Sequence, residues 1–121
     1  MTEAKATRVE VPGRDMGGAW VQMGDKEYKV APLNFNSIRE LGDKISELQQ
    51  FRADSLPSAD QLSSLVPITL AGLRRNYPEM KEEEVGDLLD LGNFSAVLKA
   101  VLGASGLEKK DLDAGESKPT T

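Results

Sequence analysis

Six acids fall within twelve residues: Glu79, Glu82, Glu83, Glu84, Asp87 and Asp90, with Lys81 the one cation among them. This segment carries −5, which equals the net charge of the whole chain. Two functions suit such a cluster, a docking face for a basic partner or a divalent-cation site. A calcium loop needs alternating oxygen ligands around a glycine turn, whereas consecutive Glu residues on a helix point around it. The plain structural alternative is an acidic first turn, solvated outside and stabilised at the positive end of a helix dipole. The chain contains no His and no Cys. Their absence removes the commonest general base, the commonest transition-metal ligand, thiolate zinc sites, disulfides and thiol nucleophiles. No motif brings a Ser to a desolvated Lys, and there is no glycine-rich phosphate loop. The expectation is a protein that is not an enzyme, with no cofactor and no metal.

Three smaller constellations remain. Asp54-Ser55-Leu56 matches the tripeptide at which acyl carrier proteins, also small, acidic and helical, bear a phosphopantetheine on Ser. In those proteins the Ser opens a long helix; here Pro57-Ser58-Ala59 intervenes, and a loop with local turn bonds is the simpler reading. Arg74-Arg75 can contact phosphate or carboxylate; the simpler reading pairs one Arg with Glu79 or the acidic helix and leaves the other in water. Trp20, Val21, Met23 and Tyr28 form an apolar set on strand-like sequence. Alternation places Trp20 and Gln22 on one face and Val21 and Met23 on the other. One face can pack inward, while the other is exposed or covered by a partner.

The elements that position these groups follow from pattern. A chain of 121 residues holds one domain with one modest core, and aromatic residues supply only 5% of it. Leu, Val, Ile and Ala must fill the interior, which suits packed helices. Thr7-Arg8-Val9-Glu10-Val11 alternates briefly before Pro12-Gly13 stops it, so residues 1–16 read as a flexible or short-strand arm. A hairpin is expected at about residues 18–31, turning at Gly24-Asp25. Ile38, Leu41, Ile45 and Leu48 recur at helical spacing and predict a helix at about 35–52, capped by Asn34 or Asn36. Asp60 can cap a second helix at about 60–77, which turns Leu62, Leu65, Val66, Leu70 and Leu73 inward and which Pro67 kinks or splits. Further helices are expected at about 81–91, ended by Gly92, and at about 93–105, capped by Asn93 and stopped by Gly106. The predicted fold is mainly α: about four helices in a small bundle, an N-terminal β-hairpin packed on it, and a globular domain over 17–107. Residues 108–121 are polar and predict a disordered tail.

Charge and hydropathy limit the partners. The acidic excess argues against nucleic acid. No apolar run approaches the ~20 residues that cross a bilayer, so no membrane is expected. The polar N-terminus has no secretory core, which keeps the expected location cytoplasmic.

Four stretches together resemble the tail assembly chaperones of long-tailed bacteriophages, siphophage or Mu-like. They are Lys26-Glu27-Tyr28-Lys29-Val30-Ala31-Pro32-Leu33, Ala71-Gly72-Leu73-Arg74-Arg75-Asn76-Tyr77-Pro78-Glu79, Glu83-Glu84-Val85-Gly86-Asp87-Leu88-Leu89-Asp90-Leu91-Gly92-Asn93, and Val97-Leu98-Lys99-Ala100-Val101-Leu102-Gly103-Ala104-Ser105-Gly106. Their order and spacing carry the likeness over roughly residues 24–107. The resemblance implies a helical, non-enzymatic protein of the host cytoplasm. Such a protein binds and solubilises the tape-measure protein, helps recruit tail-tube subunits, and is absent from the mature virion. It also implies a longer form made by ribosomal frameshift. Glu108-Lys109-Lys110 would be the slip position if its codons are GAA AAA AAG.

On this reading the contact residues are the exposed parts of Trp20, Val21, Met23 and Tyr28, with Glu82, Glu83, Asp87 and Asp90 steering the partner. Association between copies of the chain through apolar patches stays open. A phage structural adaptor such as a head–tail connector is the second reading, and an acyl-carrier-like protein modified at Ser55 a distant third.

Overall fold

A computed structural model describes residues 7–107. The expected tail at 108–121, the Glu108-Lys109-Lys110 position and the first six residues of the arm lie outside the described residues. Three strands, β1 (Thr7–Arg8), β2 (Ala19–Met23) and β3 (Lys26–Val30), precede five helices. These are α1 (Phe35–Glu40), α2 (Gly42–Gln49), α3 (Ala59–Asn76), α4 (Glu82–Leu88) and α5 (Phe94–Ala104). Helices dominate, with a small sheet at the N-terminal end of the chain.

The hairpin forms as its pattern predicts. β2 and β3 run antiparallel, with Val21 opposite Tyr28 and Met23 opposite Lys26 across the Gly24-Asp25 turn. A third strand joins them: β1 lies parallel to β3, with Arg8 opposite Glu27, in the order β1-β3-β2. Residues 7–16 of the expected arm therefore help to build the domain. The Val9 amide donates to the Glu27 carbonyl, and Val9 and Val11 pack half-buried against the core.

The inner face of the sheet carries Val21, Met23 and Val30, all buried. α3 and α5 cover it and bring Leu65, Ile68 and Leu73 together with Val97 and Val101. Each such side chain contributes roughly 1.5–3 kcal/mol on burial.

The helix expected at 35–52 is two helices. Asn34 caps the first, accepting the Ser37 amide at 2.9 Å. Leu41 then leaves helical geometry at φ −104°, ψ 14°, and α2 restarts at Gly42. Glycine is the weakest helix former short of proline, so the stripe breaks where it is least supported. The division still buries Ile45 and Leu48 and leaves Ile38 and Leu41 half-buried.

Ser58, not Asp60, caps α3. Its hydroxyl accepts the Gln61 amide while the Gln61 side chain accepts the Ser58 amide, a reciprocal capping box. Asp60 already lies inside the first turn, where its charge suits the dipole. The helix continues unsplit through Pro67. Its seat differs from the leucine stripe: Ser64, Ile68, Gly72 and Asn76 are buried at spacings of four, while Leu62 is 40% exposed. The reason lies at Gly72. A Cβ there would stand 2.7 Å from Val30 Cγ1, so the missing side chain is what lets α3 approach β3 and accept the Ala31 amide at 3.2 Å.

α4 is shorter than expected, because Leu89 is already extended at φ −90°, ψ 139°. Asn93 holds the N-cap position of α5 as expected, but its side chain makes no cap bond and turns back to the Asp90 amide and the Leu88 carbonyl. α5 buries Phe94, Val97, Leu98, Val101 and Leu102 as its stripe predicts. It ends with Gly106 at φ +73° and a Leu107 amide bonded to the Leu102 carbonyl, a Schellman stop.

Candidate protein-docking surface

α3, α4 and the turn leading into α5 enclose an open apolar groove of about 300 Å³. Leu62, Leu65 and Val66 form one wall, Leu89 and Leu91 the other, and Gly86, Asp90 and Phe94 complete the lining. The turn is rigidly specified. Asp90 and Asn93 exchange hydrogen bonds through side chain and amide, at 2.9 and 2.8 Å, and Asn93 also donates to the Leu88 carbonyl. That latch leaves Leu91 61% exposed. At Gly86 an added Cβ would meet nothing within 4 Å, so the α4 side of the groove is open.

The expected steering acids lie on α4 and in the turn beside this groove. Asp90 lines it directly. Glu82 stands one helical turn before Gly86, and Glu83 one turn before Asp87 on the adjoining row. Glu82, Glu83, Asp87 and Asp90 are all exposed. The ion pairs among the described residues are Arg8–Glu27, Lys29–Asp15 and Arg52–Asp54, so the acidic segment has no cation partner there. Arg74 and Arg75 do not pair with it. Arg74 donates to the Met80 carbonyl at 2.8 Å and Arg75 to the Pro32 carbonyl. Both instead tie the end of α3 to loop carbonyls, one before α4 and one before α1.

The hairpin residues do not join this site. Val21 and Met23, expected as contacts, are 6% and 0% exposed and belong to the core. Strand alternation turns them inward onto α5, the helix that covers β2. Tyr28 shares their face, half-buried and edge-on to Tyr77 at 5.6 Å. Trp20 alone of the four lies on the outer face. It is partly covered there by Arg8 at 4.5 Å and Lys29 at 5.7 Å from its ring centroid. Lys29 also bonds Asp15 at 2.9 Å and holds that carboxyl below the usual carboxylate range.

A second apolar groove, about 430 Å³, lies between the end of α2 and α5, lined by Leu48, Phe51, Leu98 and Leu102 with Lys99 at its edge. Phe51 meets Phe94 edge-on at 4.9 Å, which separates the two grooves by one aromatic pair. Neither groove was expected. The available signal was Leu91, an aliphatic residue between Asp90 and Gly92 where a helix stop is due.

Ser55 is exposed in the loop between α2 and α3, four residues before the helix begins. Its neighbour Asp54 bonds Arg52, which lowers the Asp54 carboxyl from its ordinary value. A phosphopantetheine site would open a helix there, and this loop does not. No group of three or more His, Cys, Asp or Glu among the described residues is arranged to hold a metal ion. No helix among them is long and apolar enough to cross a membrane. Comparison of the chain with protein-family models, curated proteins and solved structures gave no match.

Proposed function

We propose that the protein is a tail assembly chaperone of a long-tailed bacteriophage, binding and solubilising the tape-measure protein in the host cytoplasm. It acts by binding alone, with no catalytic step and no cofactor, helps recruit tail-tube subunits, and leaves before the virion matures. The observation that supports this reading best is the apolar α3–α4 groove bordered by exposed acids. A long helical client aggregates through its apolar stripes, and a small partner that covers one stripe and adds negative charge opposes that aggregation. The likeness over residues 24–107 supplies the identity of the client.

The test is co-expression with the tape-measure protein encoded by the same phage. A soluble complex, together with absence of the protein from purified virions, is the expected result. An insoluble tape-measure protein overturns the reading. Retention in virions would favour the structural adaptor instead. Intact-mass analysis of the gene's products from native DNA tests the longer form, which would share this N-terminus through about residue 110.

A further inference from the structure

We infer that the α3–α4 groove binds an amphipathic helix whose aliphatic stripe is flanked by Lys and Arg. The inference rests on the chaperone reading only for the source of that helix.

Three observations select this occupant. First, both walls are made by helices and a latched turn, in which the Leu62, Leu89, Asp90 and Asn93 amides are already engaged. The groove has no strand edge to extend, so its partner must arrive with its own backbone hydrogen bonds satisfied, as a helix does. Second, Leu62, Val66, Leu89 and Leu91 present aliphatic surface in a groove of about 300 Å³. That is suited to a few anchors spaced one helical turn apart. Third, Asp90 lines the groove and Glu82 stands one turn before Gly86, with exposed Glu83 and Asp87 on the adjoining row, all without cation partners among the described residues. A basic flank neutralises them, while an acidic helix or a nucleic acid is repelled. A second copy meeting groove to groove would set these same acids against each other, because a two-fold interface pairs each patch with itself.

Gly86 makes the inference testable by a single substitution. Space beside its Cα is open and its backbone is helical, so Gly86→Leu fills the groove without disturbing the core. The experiment titrates the full chain with two helix-forming peptides of about 20 residues. One carries Leu at positions i, i+4 and i+7 flanked by Lys; the other has Glu in place of every Lys. Binding is followed by amide chemical shifts. The Lys peptide should bind, weaken with added salt, and shift the amides of Gly86 and Leu91. The Glu peptide should bind about tenfold more weakly or not at all. Gly86→Leu should weaken the Lys peptide about tenfold with no fall in thermal midpoint. Glu83→Lys with Asp87→Lys, at two exposed positions, should largely remove the preference, because the segment's charge falls from −5 to about −1.

Equal binding of both peptides, unaltered binding by Gly86→Leu, or shifts confined to Phe51 and Leu102 would overturn the inference. The two readings fail separately. Peptide binding at the groove without a soluble tape-measure complex removes the chaperone and keeps the groove. A soluble complex that Gly86→Leu leaves intact does the reverse.

Discussion

Tyr77 donates its phenolic hydrogen to the Val9 carbonyl at 2.7 Å while accepting the Lys29 amide at 2.9 Å. One oxygen at the end of α3 thus ties the N-terminal arm to the central strand of the sheet. The ring is buried, and burial pushes its pKa above the ordinary 10.0.

Tyr77→Phe keeps the ring packing and removes the oxygen. The Val9 carbonyl and Lys29 amide each lose a partner, and stability should fall by about 1–3 kcal/mol in urea unfolding. A raised folded pKa means the phenol's contribution is complete below its unfolded value and is lost as pH rises through the folded one. Wild-type stability should therefore decline above about pH 10, and Tyr77→Phe should reduce that decline.

Asn76, 1% exposed, accepts the Met16 amide and donates to the Gly17 and Lys29 carbonyls. Asn76→Ala leaves all three backbone groups unpaired beside the core. A loss of roughly 2–4 kcal/mol is expected by chemical denaturation, with faster hydrogen exchange at Met16.

Thr69 is fully buried and its hydroxyl has no partner among the described residues. Thr69→Val replaces that hydroxyl with a methyl of similar size. Thermal unfolding should show a gain of about 1 kcal/mol, because an unsatisfied buried hydroxyl costs at least that much.

Trp20 is the single Trp of the chain and lies beneath Arg8 of β1. Arg8→Ala removes that cover and the ion pair with Glu27. Trp20 emission should shift to the red, with a cost of less than about 1 kcal/mol for so exposed a contact.

Periodicity revealed the hairpin, the α5 stripe and most of α3, since each pattern repeats often enough to outweigh local exceptions. It missed the placement of β1, because two residues of strand carry no period and their partner lies far along the chain. Leu62 belongs to the inward stripe by spacing; the close approach at Gly72, a contact invisible to the stripe, turns α3 so that Leu62 faces outward. The groove was harder still. Its acids were evident as a cluster, but their apolar neighbours come from α3, the α4–α5 turn and Phe94, which only tertiary packing assembles. Pattern alone leaves Val21 and Met23 among the contacts because either face of β2 has apolar members, and only α5 decides which is inside.

The arm is made first and receives its last anchors late. Its two longest-range side-chain fastenings, Asn76 to Met16 and Tyr77 to Val9, span 60 and 68 residues. Contacts of such separation carry a large loop-closure cost and form slowly. During synthesis, these two bonds must wait until the end of α3 has left the ribosome. Translation that stops short of Asn76 therefore yields a hairpin whose N-terminal strand lacks these two fastenings.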